Sequence, residues 1–196
     1  MKTITAQDLY NFTKCHHRVY LDANGNPEER VEVGSFVKLL WELGLQTERE
    51  YIASIGNVMV EDLAPLSLEK AYQETLRLME EGVSLIYQGC LMDEAYVGRP
   101  DLLVKREDGE SRWGSYLYEA IDIKAGRGWE SGESRKPKFK EHYAFQILFY
   151  RMLLGRIQGS VVPLGRIINI DKEVEEFNPM NFELSFQKAL EEVARL

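Results

Sequence analysis

Cysteine is nearly missing from this chain: Cys15 and Cys90 are the two present, far apart and without a CxxC pair. Two such residues supply neither a disulfide framework nor the four ligands of a zinc or iron-sulfur site, and both are expected as small buried hydrophobes. Histidine is almost as sparse, at His16, His17 and His142. The adjacent pair next to Cys15 has no matching ligand set, and His142 is expected as a lone surface histidine. Apolar runs long enough for a bilayer are absent too. The longest, AFQILFYRMLLG at 144–155, is short and interrupted, and the opening MKTITAQDLYNF lacks the continuous apolar stretch of a signal peptide. These absences point to a cytoplasmic protein with no membrane partner.

An excess of positive charge is lacking as well. The formal net charge of −8 repels phosphate at long range. The segment KAGRGWESGESRKPKFK at 124–140 runs the other way, with six Lys or Arg against two Glu, and reads either as a solvated loop or as a phosphate-contacting one.

With 196 residues and 44% hydrophobic content, the chain can bury one sizeable core, so residues 1–196 are read as a single domain. Thr5 to Asp8 form a capping box before a short helix through Asn11, and ANGNPEE at 23–29 is a turn-rich loop. Phe36, Leu39, Leu40, Leu43, Tyr51 and Ile55 recur at helical spacing in a long amphipathic helix from Ser35. Extended NVMVEDL precedes a helix capped by Ser67 and running to about Glu81. SLIYQGCL and the segment from Tyr96 to Gly126 read as strands, with REDGES as a hairpin turn. A helix at 140–154, a strand GRIINID and a closing helix from about Pro179 complete an α/β fold, a mixed sheet flanked by helices.

The hairpin carries the chemistry. Asp101 and Asp122 lie at matched distances from a midpoint near Ser111 and Arg112, so pairing brings them opposite each other. Strand alternation then puts Ala120, Asp122 and Lys124 on one face and Glu119, Ile121 and Ile123 on the other. Two close carboxylates repel, and a divalent cation relieves the repulsion; oxygen donors suit Mg²⁺ or Mn²⁺. The bland alternative is a turn-capping Asp101 and an Asp122–Lys124 cross-strand pair. Gln146 and Tyr150, four apart, share a helix face.

Gly98-Arg99-Pro100-Asp101 followed by Asp122-Ile123-Lys124 resembles the signature of PD-(D/E)XK nucleases, and Gln146 to Tyr150 is similar to the QxxxY motif of their RecB-like branch. ITAQDLYNFTKCHHRVYLD resembles the start of RecB-family proteins. The resemblance implies a restriction-endonuclease-like core and a metal-dependent DNA nuclease acting on single- or double-stranded DNA. In that reading Asp101, Asp122, the Ile123 carbonyl and Glu48 hold Mg²⁺ or Mn²⁺, Lys124 orients or activates the attacking water, and products carry 5′-phosphates. Gln146 and Tyr150 support the site. Arg127, Arg135, Lys136, Lys138 and Lys140 contact the DNA backbone, and Trp129 either stacks on a base or anchors its loop. A helicase or another repair or defence subunit is an implied partner.

Two departures matter. The family's upstream-helix histidine is replaced by Thr47, followed by Glu48, which shares a helical row with Trp41, Leu45 and Ile52 and needs either a metal or a Lys or Arg partner. Nor are there cysteines for an iron-sulfur cluster. The competing expectation is therefore a catalytically inactive module of the same fold that binds DNA or a protein partner.

Overall fold

Regular structure begins at strand β1 (Ile4–Thr5) and helix α1 (Ala6–Lys14). The Thr5 hydroxyl accepts from the Asp8 N–H while the Asp8 carboxylate accepts from the Thr5 N–H at 2.8 Å, so two orphan donors of the helix start are satisfied reciprocally. The computed structural model describes residues 3–56, 61–130 and 137–196. Helix α2 (His16–Asn24) follows, in a segment with no strong apolar period, and it buries only Val19. The expected loop at 23–29 starts inside its last turn and ends in a 3₁₀ turn, Pro27–Glu29. Cys15, between α1 and α2, is exposed, whereas Cys90 is buried as expected.

Helix α3 (Ser35–Ser54) departs most from its amphipathic reading. Phe36, Leu39, Leu40, Trp41, Leu43 and Leu45 are exposed, and the helix's buried residues are Thr47 and Glu48. Its apolar contribution to the core comes from the C-terminal end, where Tyr51, Ile52 and Ile55 pack on the sheet. Strand β2 (Glu61–Asp62) lies in the expected extended segment NVMVEDL, of which residues 57–60 lie outside the described residues. Ser67 does stand at the N-cap of α4 (Leu68–Glu80), but its hydroxyl makes no capping bond.

SLIYQGCL is not one strand. It breaks into β3 (Leu85–Tyr87) and β4 (Leu91–Asp93), because Gln88 adopts φ 54, a left-handed conformation that ends the first ladder. Strand β5 (Tyr96–Gly98) pairs with β4 and with β1 in a small three-stranded sheet. Strands β6 (Leu102–Arg106) and β7 (Leu117–Ile123) form the central hairpin, with Leu102 opposite Ile121 and Arg106 opposite Leu117. REDGES is only the first part of their connection, which includes a bridge between Ser111 and Gly114. Strand β8 (Trp129–Glu130) pairs with β9 (Lys138–Phe139), and helix α5 (Glu141–Gln158) leads to β10 (Gly165–Ile168), β11 (Val174–Phe177) and α6 (Glu183–Ala194). The central sheet runs β11-β10-β7-β6-β3-β2 and mixes parallel and antiparallel pairs. The fold is thus mixed α/β. Helix α5 packs on one face of β7, beneath the main core, and the end of α3 covers the smaller cluster on the other. No helix among the described residues is long and apolar enough to cross a membrane.

The last residue of α5 substitutes for a strand. Parallel pairing of β10 with β7 covers only Ile121 to Ile123, so the start of β7 has no neighbour on that side. The fully buried Gln158 fills the gap: its Oε1 accepts from the Tyr118 N–H at 2.8 Å and its Nε2 donates to the Tyr118 carbonyl at 2.8 Å. Removing that amide orphans two buried backbone groups. Gln158→Leu is expected to lower the unfolding free energy by about 2–4 kcal/mol, measured by urea denaturation.

Candidate active site

Every residue of β7 is buried, and its two faces use their acids differently. Glu119 points to the α3 side and is held by two arginines from neighbouring strands, Arg106 and Arg166. Ile121 and Ile123 join it there, packed on the end of α3. Asp122 points the other way, toward α5, and its partner is a single cation: Lys124 Nζ lies 2.7 Å from Asp122 Oδ2. The same ammonium donates to Gln146 Oε1 at 2.8 Å, which ties the strand to the helix.

Asp101 stands one residue before β6 and one register step beyond the Leu102–Ile121 pair. Its Oδ2 accepts from the Ile123 N–H at 2.8 Å, and its own N–H points to Asp122 Oδ1 at 3.4 Å. Asp101 Oδ1 meets a residue that sequence reasoning did not single out. Gln88 Nε2 donates to it at 2.9 Å and, with its other hydrogen, to Glu48 Oε1 at 2.6 Å. Glu48, Asp122 and Gln146 are 8%, 2% and 8% exposed, while Asp101, Gln88 and Lys124 are half-buried, so these contacts are partly shielded from water. Glu48 is therefore turned inward, but Trp41 and Leu45 of its supposed row are exposed, and where a metal or a Lys or Arg was expected its side-chain partner is the Gln88 amide. Thr47, beside it, spends its hydroxyl on the Leu43 carbonyl of its own helix.

Burial, and next to it the charge of Asp122, pushes the Asp101 carboxyl well above its ordinary range. For Lys124, burial favours the neutral amine, yet the charges of Asp122 and Asp101 outweigh it and hold the ammonium above its usual value. Tyr150 is buried, with its phenol pushed up by burial and then by both aspartates. Its ring needs Gly98: a Cβ there would come within 2.8 Å of Tyr150 Cδ1. Tyr87 is raised likewise, by burial and then by Glu48. The ring centroid of Tyr143 is 5.3 Å from Lys124 Nζ and 5.4 Å from Lys140 Nζ. His142 is not a free surface group. It meets Tyr10 edge-on at 5.0 Å, and burial together with Lys14, Lys140 and Lys124 lowers its pKa to about 4.

The structure brings Asp101, Asp122, Lys124, Gln146, Glu48 and the Ile123 backbone into one bonded group, with Tyr150 at its edge. The basic candidates are more dispersed. Arg127 pairs with Asp171 at 2.7 Å, Lys140 donates to the Arg127 carbonyl at 2.6 Å, and Lys138 is exposed on β9. Trp129 packs edge-on against Phe139 while staying partly exposed. Arg135 and Lys136 lie outside the described residues. Among the described residues, no three acidic, histidine or cysteine side chains stand close enough to chelate an ion as they are placed. The donors are nevertheless all oxygens, fitting a hard divalent cation, with Gln88 bonded to both Glu48 and Asp101 and Lys124 bonded to Asp122. No family model matches the chain, and no match was found among curated proteins.

The raised Asp101 carboxyl has a stability consequence. Between its unfolded value, about 4, and its raised folded value, the native state binds the extra proton, so stability falls as pH rises through that window. Asp122→Asn removes the repelling charge; in chelator, its unfolding free energy is expected to decline less steeply than that of the wild type above about pH 4, as measured by denaturant titration across pH.

Proposed function

We propose that the chain is a metal-dependent DNA nuclease with a restriction-endonuclease-like core of the RecB-like PD-(D/E)XK kind, hydrolysing phosphodiester bonds in DNA repair, recombination or defence. The observation that carries this reading is the convergence of Asp101 and Asp122, from paired strands, with a lysine that is itself fixed by Gln146. Asp101, Asp122 and Glu48, with the Ile123 carbonyl, would hold Mg²⁺ or Mn²⁺. Such an ion, when bound, supplies charge neutralisation at the phosphate and activates water as a nucleophile.

The chain's own groups do the rest. Lys124, bonded to Asp122 and Gln146, orients or activates the attacking water and offsets charge developing on the phosphoryl oxygens. Gln146 fixes the direction of that ammonium, and Tyr150 closes the apolar side. Lys138 and Lys140 meet the DNA backbone. Arg127 can join them, since an exposed pair such as Arg127–Asp171 is worth about 0–1 kcal/mol and yields readily to a phosphate.

One observation favours a second reading, an inactive module that binds DNA or a protein partner: Gln88 already engages both Glu48 and Asp101. The test is incubation with linear single- and double-stranded DNA in Mn²⁺ and in chelator, beside Asp122→Ala. Metal-dependent products are expected, with at least about a hundredfold loss in the variant. No cleavage in any metal, with DNA binding retained, would select the inactive module.

A further inference from the structure

The position of Gln88 carries an inference that deepens the metal-dependent reading and rests on it. We propose that Gln88 is a neutral placeholder for the cation: its amide nitrogen joins Glu48 to Asp101 in the metal-free protein and turns away when a divalent ion binds.

Three observations support this. The first is that one nitrogen serves two acids from different elements, at 2.6 Å to Glu48 Oε1 and 2.9 Å to Asp101 Oδ1. The amide orientation is dictated by charge, since its carbonyl oxygen in that place would face two carboxylates. The nitrogen therefore sits where a single cationic centre would face both oxygens.

The second is that the backbone is built to aim this side chain. Gln88 has φ 54, unusual for a residue other than glycine, and is clamped on both sides. Its N–H donates to the Asp101 carbonyl at 2.9 Å, and its carbonyl accepts from Arg99 Nε at 2.9 Å. Arg99 is anchored in turn on the Leu63 carbonyl.

The third is the choice of a neutral donor. In the same sheet Glu119 is neutralised by Arg106 and Arg166. Here the one ammonium, Lys124, is bonded to Asp122, while Glu48 and Asp101 share the neutral amide of Gln88, so their negative charge is not matched by cations. An amide satisfies the lone pairs without cancelling that charge, so the group stays ordered while its attraction for a cation persists.

The test uses the full chain with Gln88→Leu, close in size but without a donor, and Gln88→Glu, which adds a carboxylate. Mn²⁺ affinity is measured by calorimetry, and the thermal midpoint is read in chelator and in Mn²⁺. Loss of a competing donor is expected to tighten Mn²⁺ binding by Gln88→Leu on the order of tenfold. Both variants are expected to melt below the wild type in chelator and to gain more than it does from Mn²⁺. A variant unfolded in chelator that folds when Mn²⁺ is added also supports the proposal. Weaker Mn²⁺ binding by Gln88→Leu would make Gln88 a ligand and overturn it, as would equal affinity and equal midpoints, or a failure to fold with and without metal. Mn²⁺ binding to no protein in the set would sink this inference together with the metal-dependent reading, whereas binding without a difference sinks this inference alone.

Discussion

Two carboxylates at paired positions of neighbouring strands are an electrostatic burden that the surrounding structure has to carry. Unit charges about 4 Å apart repel by about 4 kcal/mol at an effective dielectric constant near 20, while one hydrogen bond returns about 1 kcal/mol. No single donor offsets that. Compensation is divided among several groups, with the Ile123 N–H and Gln88 taking the two oxygens of Asp101 and Lys124 taking Asp122. The ladder from Leu102–Ile121 to Arg106–Leu117 keeps the two acids from sliding apart, because a slip by one residue would send Asp122 to the opposite face.

The contrast within β7 separates a saturated acid from an incompletely neutralised one. Glu119 and Asp122 are equally buried, yet Glu119 is saturated by two guanidinium groups and has no further demand. Asp122 shares one ammonium with Gln146 and lies beside a second carboxylate that burial has already made hard to ionise. Incomplete neutralisation of buried acids costs stability and is found where a site binds or reacts.

Much of this arrangement was legible in the sequence because it follows from two periods. Equal spacing of Asp101 and Asp122 about the turn gave their pairing, and alternation gave Lys124 the same face as Asp122. A four-residue step on a helix placed Gln146 and Tyr150 together, and the Thr5–Asp8 pair marked the start of α1. What escaped has no period. Gln88 matters because the chain reverses there at positive φ, which alternation cannot signal. Short strands such as β4 and β8 contain too few residues to show a pattern. The first half of α3 reads as a core stripe from its leucines, but no described element of this chain covers it, and Cys15 is exposed because it joins two helices at the surface. His142 reads as solvent-facing until Tyr10 and α1 are folded over it.

Helix α5 is fastened to β7 twice, by Gln146 through Lys124 near its beginning and by Gln158 to Tyr118 at its end. Side chains contributed by this helix and strand therefore form a stationary wall. Glu48 and Gln88 stand opposite, one on a helix that contacts the sheet through its final turns and the other at an irregular break between strands. In the proposed site, any adjustment to the size of an ion would fall to the side chains of Glu48 and Gln88, since the Gln88 backbone is itself held by Asp101 and Arg99.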